Sequence, residues 1–429
     1  MSSSRVGSPA PFRLVAAYLV AALVCWLIAA LALLRAAPDI AAGWFVTPDV
    51  LLAVHLLALG FLPLAVAGAA LHVLPTLLRN TGRAYRGWIG LAGLCAGPLL
   101  AVGIARDRPL ILWPAAALVG VAAFALLSEI AVLVIHAPRS RMLLASRFAV
   151  AASGLHAFLA FSLGPVLFLR AWRPWLGIPH ERLIAIHLHL AIIGWLTLLI
   201  VTVGRTLGPM LALAPSEPAR RLPIEELGLT AGLWLAVAGF VIGREELVAA
   251  GYAVTLFVLF RFGWVVARAA RHNRLDALEG PIAHFVAGLV FLVQAAVVAG
   301  LMLIRSTSLR LLTAYVLLLL LGWGAGITLG HVGKLLSLSA WTWWPPGPRP
   351  KQAALYARRT WMASAVAFAG GTQLLVVAAL TGAKSLAWAG ASALVISALT
   401  ALAGAGHTLG EATPATRRVP RLAGQGERP

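Results

Sequence analysis

The sequence predicts an all-α polytopic membrane protein with about twelve transmembrane helices, and three observations lead to this prediction. The 429 residues are 61% hydrophobic and only 11% charged, whereas soluble domains carry about 25% charged residues. The mean hydropathy is +0.91 over the whole chain. About twelve apolar runs follow one another, each long enough for the roughly 20 residues of a membrane span. A soluble enzyme is therefore excluded. The two cysteines also exclude a disulfide scaffold, a cysteine-ligated zinc site and an iron–sulfur cluster.

Polar or Pro/Gly-containing connections separate the apolar runs, and none is long enough to form a soluble domain. The longest connection, 338–359, contains a tryptophan cluster that suits a membrane interface. We therefore predict a single transmembrane domain over 1–408 and a disordered, basic cytoplasmic tail over 409–429. The predicted membrane segments are, in order, 12–35, 50–77, 86–105, 109–136, 146–169, 182–210, 223–243, 246–267, 283–304, 310–337, 360–381 and 384–407.

The distribution of basic residues predicts the orientation of these segments. If the N-terminus is cytoplasmic, most of the 34 lysines and arginines fall in cytoplasmic connections, as the positive-inside rule requires. Both termini are then cytoplasmic, and the number of spans is even. The net charge of +20 is explained by topology, so no nucleic-acid partner is expected. The expected environment is the lipid bilayer of the cell inner (plasma) membrane, which the chain crosses many times.

A repeated pattern occurs in the second, sixth and tenth apolar runs. Each contains a glycine followed by an aromatic residue: Gly60-Phe61, Gly194-Trp195 and Gly322-Trp323. In the first two runs a histidine, His55 or His189, lies five residues before the glycine, and a proline lies fifteen residues after it. Matched spacing at every fourth span predicts three four-helix pseudo-repeats, over about 12–136, 146–267 and 283–407.

Histidines inside the apolar runs are the candidate site residues, because an ionisable group within a bilayer is a functional-site hypothesis by default. Histidine is also a common ligand of metals and haem. Segment depth places His55, His187 and His189 in the outer third of the bilayer and His156 nearer the middle. His72 and His331 fall in the inner third. The alternative role for each histidine is a hydrogen bond to a serine, a threonine or a backbone carbonyl of a neighbouring helix.

Helix geometry limits which histidines can share one centre. His55 and His72 are seventeen residues apart on one helix, which is about 25 Å along the axis, so they cannot ligate the same ion. The side chains of His187 and His189 diverge by about 200° around their helix. We therefore expect these two rings to contact different neighbours.

This combination of twelve spans, three repeats and intramembrane histidines resembles the catalytic subunit of the haem–copper oxidases. The second run, from His55 to Pro75, looks like that family's second helix, whose outer histidine ligates the low-spin haem. The sixth run resembles the helix of the nitric oxide reductase branch in which a histidine about twenty residues before a proline ligates the non-haem metal. The tenth run, which contains Gly330-His331-Val-Gly-Lys334, is similar to the Leu-Gly-His-Thr-Gly-Arg signature of NnrS proteins, which contain haem and copper and are linked to nitric oxide stress.

The chain also departs from the oxidase pattern. The family has a His-His pair in its seventh helix, yet 223–243 contains no histidine. The family also has two histidines near the outer end of its tenth helix, where this chain has Thr313-Ala-Tyr315. The resemblance thus implies a degenerate, NnrS-like member without a complete binuclear centre. We do not expect oxygen reduction, although residual redox or nitric oxide chemistry stays open.

Two outer cofactor sites are compatible with the remaining histidines. One is a haem b with His55 as an axial ligand and His156, His187 or His189 as the other. The second is a nitrogen-dominated copper site that combines His187 or His189 with His55.

A third option is a second, inner site built from His72 and His331, with His284 or His407 as a further ligand.

Two hypotheses about function follow. The first is a membrane protein that binds haem, copper or both and acts in redox chemistry, the nitric oxide response or respiratory cofactor handling, with an electron donor or respiratory-chain subunits as partners. It predicts that His55 and His189 face a shared cavity. The second is a transporter, assembly factor or structural partner of a respiratory complex that uses the same fold without a cofactor. It predicts closed packing, with both histidines hydrogen-bonded to neighbouring groups.

Overall fold

Twelve helices dominate the computed structural model, which describes residues 11–78, 84–135, 144–168, 177–211, 224–270, 279–304, 308–345 and 348–417. Within these ranges the regular secondary structure is helical, and twelve helices are long and apolar enough to cross a membrane. The prediction of an all-α, multi-pass membrane protein is thereby confirmed. The three-repeat arrangement and the positions of the termini stay predictions.

The helices follow the apolar runs closely. The first six are α1 (Phe12–Ala42), α2 (Pro48–His55, Leu56–Phe61 and Leu62–Leu78), α3 (Ala84–Leu94 and Gly97–Ala105), α4 (Pro109–Ile135), α5 (Leu144–Phe168) and α6 (His180–His189, Leu190–Thr197 and Leu198–Leu211). The other six are α7 (Ile224–Ile242), α8 (Glu245–Ala270), α9 (Gly280–Ile304), α10 (Leu309–Val316, Leu317–Ala325 and Gly326–Thr342), α11 (Arg358–Thr381) and α12 (Lys384–Arg417). A short 3₁₀ turn, Gln352–Leu355, precedes α11.

The last helix extends further than the sequence pattern predicts. Residues 409–417 continue α12 instead of beginning a disordered tail. A contact near the start of this extension stabilises the helix: the Thr408 hydroxyl donates a 2.8 Å hydrogen bond to the Leu355 carbonyl. Ala412, one turn later, is also buried. The rest of the predicted tail, 418–429, lies outside the described residues.

Three helices contain a π-helical segment, and each segment covers one of the repeated Gly-aromatic pairs. The segments are Leu56–Phe61 in α2, Leu190–Thr197 in α6 and Leu317–Ala325 in α10. The first two begin directly after His55 and His189. A π turn widens the helix and changes the hydrogen bonding of local carbonyls, and such turns are frequent at functional sites. The three segments thus share one position relative to the Gly-aromatic pairs.

The described residues form two compact units. The first takes its residues from Met1–Leu126, Glu279–Ala287 and Thr328–Pro429, and the second takes them from Leu127–Leu278 and Gly288–Ile327. In the first unit α1 packs against α2, α11 and α12. Its alanines at positions 22, 29 and 36 are fully buried, and small residues at a helix interface let membrane helices approach closely. The Trp26 ring contacts Phe61 and Phe368, with ring centroids 5.7 and 6.0 Å apart.

In the second unit α7 and α8 form a tightly packed pair. A Cβ atom added at Gly251 would lie 2.5 Å from the Gly232 carbonyl oxygen, so only glycine permits this approach. Nearby, the Trp323 indole N–H donates a 3.0 Å hydrogen bond to the Thr197 hydroxyl. That bond joins the π-helical segments of α6 and α10. An indole N–H buried in an apolar environment needs such a partner.

Ion pairs lie at helix ends. In the first unit, Asp49 accepts hydrogen bonds from Arg35 and Arg106 in the first turn of α2, which the Thr47 side chain caps. In the second unit, the buried Glu225 at the start of α7 pairs with Arg261 of α8 at 2.9 Å. These pairs keep carboxylates compensated near the ends of apolar helices, where an unpaired buried charge would be costly.

Candidate functional site

His55 is held by its own helix. Its Nδ1 lies 2.8 Å from the Leu51 carbonyl oxygen, four residues earlier. Because a carbonyl can only accept, Nδ1 carries the proton and Nε2 carries the lone pair. The ring is half-buried, and its Nε2 makes no hydrogen bond within the described part of the chain. This tautomer, with Nδ1–H fixed to a backbone carbonyl, is the usual state of a metal-ligating histidine.

His189 is anchored in the same way, at the matching position of α6. Its Nδ1 donates a 2.6 Å hydrogen bond to the Ala185 carbonyl, again four residues earlier. Here, however, the Tyr252 hydroxyl lies 2.8 Å from Nε2 and donates to its lone pair. The Tyr252 ring also stacks on the imidazole with an interplanar angle of 14°. The Phe240 ring contacts the imidazole as well, with centroids 5.3 Å apart.

A small cavity of about 30 Å³ lies beside the His189–Tyr252 pair, entirely within the second unit. A cavity needs about 10–15 Å³ to hold one water molecule, so this one suits one or two molecules of that size. Most of its wall is aliphatic, and four lining side chains carry polar atoms: His189, Tyr252, Thr255 and Tyr315.

His156 stabilises the π-helical segment of α6. Its Nδ1 donates a 3.0 Å hydrogen bond to the Gly194 carbonyl, and the Ser153 hydroxyl donates one of 3.0 Å to the Trp195 carbonyl. Two consecutive carbonyls of the π-helical segment thus find donors on α5. A Cβ atom at Gly194 would lie 2.8 Å from the His156 side chain, which explains the glycine at this position.

His187 faces a different neighbour from His189, as the angular separation predicts. Its Nδ1 donates a 3.0 Å hydrogen bond to the Ala160 carbonyl on α5, whereas His189 contacts side chains of α7 and α8. In the part of the chain that the structure describes, no three His, Cys, Asp or Glu side chains group closely enough to hold a metal ion.

The histidines of the predicted inner site belong to the first unit. His72 is buried on α2, and the His331 ring on α10 lies 6.2 Å from the Phe285 ring. His284, at the start of α9, is fully buried and bonds to Ser364. These described residues contain no metal-binding group of three, so the inner site stays a prediction.

Sequence reasoning missed the two tyrosines at the cavity. The signal was present, because the chain has only five tyrosines, and Tyr252 and Tyr315 lie inside apolar runs. A phenol buried in an apolar environment usually has a hydrogen-bond partner. A histidine one helix away would have been a reasonable candidate partner for Tyr252.

Comparison with protein-family models finds no match for this chain, and comparison with curated proteins likewise finds none. The relationship to the haem–copper oxidases and to NnrS proteins therefore stays a prediction based on the residues themselves.

The haem and copper that the resemblance implies fit the two histidines differently. His55 would hold a haem iron through Nε2, because its tautomer is fixed and its Nε2 lone pair is unused. His189 does not fit a haem in this arrangement, since Tyr252 occupies its lone pair. The adjoining cavity is also far below the roughly 300–1,000 Å³ of ligand pockets.

Proposed function

We propose that this multi-pass membrane protein binds haem b through His55 and acts in redox chemistry, the nitric oxide response or respiratory cofactor handling. The supporting observation is the state of the His55 ring, in which the Leu51 carbonyl holds Nδ1–H and Nε2 has no hydrogen-bond partner among the described residues. A neutral imidazole that presents an unused lone pair inside a membrane span is costly unless it serves a ligand.

The chain's own residues would orient such a ligand. The Leu51 bond fixes the rotation of the His55 ring, and second-shell bonds of this kind also raise the basicity of the ligating nitrogen. The π-helical segment that follows His55 and the paired Asp49 that precedes it constrain the helix on both sides. A bound haem would supply one-electron transfer or the binding of a small diatomic molecule.

The proposal includes location and partners. We place the chain in the cell inner (plasma) membrane with both termini in the cytoplasm, since this orientation follows from the basic connections. An electron donor or a respiratory-chain subunit is the expected partner. Copper is a less supported ligand, because no three His, Cys, Asp or Glu side chains of the described residues group closely enough to hold a metal ion.

The test is an optical spectrum of the purified protein, dithionite-reduced minus oxidised, with metal analysis on the same sample. We expect a Soret band that His55→Ala abolishes and His187→Ala retains, because His187 bonds to a carbonyl of α5. Protein expressed with haem and copper supplied that contains neither would refute the proposal. Stoichiometric copper without haem would replace the haem site of the proposal with a copper site.

A second candidate, a cofactor-free transporter, assembly factor or structural partner of a respiratory complex, is favoured by the His189–Tyr252 hydrogen bond. This bond satisfies the His189 lone pair from within the protein, and the cavity beside it holds only water-sized molecules. If His55→Ala and wild-type protein are equally colourless after haem supply, this candidate replaces the first.

A further inference from the structure

The core of the first unit contains a buried polar cluster centred on His284. This side chain is fully buried at the start of α9, and its Nε2 lies 3.2 Å from the Ser364 hydroxyl on α11. The Ser364 hydroxyl in turn lies 3.0 Å from the Ser397 carbonyl on α12. The phenyl ring of Phe368 contacts the imidazole, with centroids 5.3 Å apart.

These contacts determine the tautomer of His284. The Ser364 hydroxyl donates its single proton to the Ser397 carbonyl, which can only accept, and the Ser397 hydroxyl, 3.1 Å from Ser364 Oγ, is a second donor to Ser364. Ser364 must then accept from His284, which places the imidazole proton on Nε2. His284 Nδ1 is therefore an unprotonated lone pair. It is buried, and no hydrogen-bond donor reaches it from the described residues.

Two further buried polar atoms lie on the same face of α11. Trp361, Ser364, Phe368 and Thr372 follow one another at intervals of three or four residues, and all four are fully buried. Over the described chain, neither Trp361 Nε1 nor Thr372 Oγ1 finds a hydrogen-bond partner. These four residues therefore span about 16 Å along the helix axis, and His284 lies beside the middle of that span.

Buried polar groups in native proteins are almost always hydrogen-bonded, and ordered water is the usual partner where no protein group is within reach. We infer that internal water molecules bind along this face of α11, from Trp361 to Thr372, and that one of them donates to His284 Nδ1. The ligand class is water, held by one acceptor nitrogen, one indole N–H and one hydroxyl. This site is separate from the haem proposed at His55.

The Trp361 end of this face of α11 lies near a charged pair. Gly280, at the start of α9, packs on the backbone of Trp361, and Glu279, the residue before it, forms an ion pair with Lys334. The Lys334 ammonium lies 5.9 Å from the centre of the Tyr356 ring. Burial, with Glu279 nearby, raises the pKa of the Tyr356 phenol, which stays neutral. The Trp361 end of this face therefore lies beside the Glu279–Lys334 pair.

Hydroxyl-radical footprinting of the full chain in nanodiscs tests the inference, because radicals generated from bound water oxidise buried side chains beside it. Trp323 is a matched control, since it is equally buried but its indole N–H bonds to Thr197. We expect Trp361 to be oxidised several times faster than Trp323, with His284 also labelled. Equal protection of both tryptophans would overturn the inference.

A substitution that conserves shape gives an independent readout. If no water bonds to Thr372, Thr372→Val removes a buried hydroxyl without a hydrogen-bond partner, and the melting temperature rises. If water bonds to Thr372, the substitution breaks that bond, and the melting temperature falls. Thr202→Val is the control, because Thr202 is buried but bonds to the Leu198 carbonyl of its own helix at 2.7 Å. A fall at Thr372 larger than at Thr202 supports bound water, and a rise refutes it.

Discussion

His55 and His189 occupy the same position in two helices, yet they end in different chemical states. Both precede a π-helical segment, and both donate Nδ1–H to the carbonyl four residues earlier. The lone pair of His55 has no hydrogen-bond donor in the described chain, whereas Tyr252 donates to that of His189. The comparison teaches that the helix sets the tautomer, while a side chain from another helix decides whether the imidazole can take a ligand.

The largest expected effect separates the two histidines by their affinity for haem. Under the proposed function, His55→Gly should lower the haem-to-protein ratio at least tenfold, because it removes the nitrogen that would hold the iron, and added imidazole should restore it. His189→Gly should leave the ratio unchanged, since Tyr252 already occupies that lone pair. The pyridine haemochrome assay measures both. Equal losses in the two variants would show that the comparison is wrong.

The second prediction concerns the glycines of the two π-helical segments. Gly194→Ala places a Cβ atom 2.8 Å from His156, whereas Gly60→Ala places one 3.2 Å from Cys25. Overpacking costs about 1–3 kcal/mol, so we expect Gly194→Ala to lose more stability than Gly60→Ala. Unfolding in a mild detergent titrated with SDS gives both values. A larger loss at Gly60 would contradict the prediction.

Removing the Tyr252 hydroxyl should make His189 resemble His55. Tyr252→Phe leaves the Nε2 lone pair without its donor, and we expect a loss of about 1 kcal/mol in unfolding free energy. Tyr85→Phe is the control, because Tyr85 is mostly exposed and its loss should be smaller. The same SDS titration applies. A Tyr252→Phe protein as stable as wild type would mean that the hydrogen bond contributes nothing to stability.

The smallest expected effect is at Ser153, which bonds to the Trp195 carbonyl. Hydrogen bonds between membrane helices contribute about 0.6 kcal/mol on average, so Ser153→Ala should lose roughly that amount. A double-mutant cycle with Gly194→Ala measures whether the two positions act together. Strict additivity would indicate that the α5 contacts do not support the π-helical segment.

The sequence was sufficient for the helices because apolar length alone determines a membrane span. It was also sufficient to place His55 and His189 at one register and to expect His187 and His189 on different neighbours. The π-helical segments were not predicted, since a Gly-aromatic pair also occurs in regular helices. The roles of His156 and Tyr252 depend on which helices pack together, and spacing along one helix carries no such information.

The π-helical segments also affect how the chain tolerates changes in length. Losing one residue from a regular helix rotates everything after it by about 100° and turns its buried face away. A π turn already accommodates a residue beyond the α-helical count. Deleting Leu320 from Leu317–Ala325 can therefore restore an ordinary helix while both flanking halves of α10 keep their faces. These three sites are where evolution could shorten a membrane helix without repacking the rest.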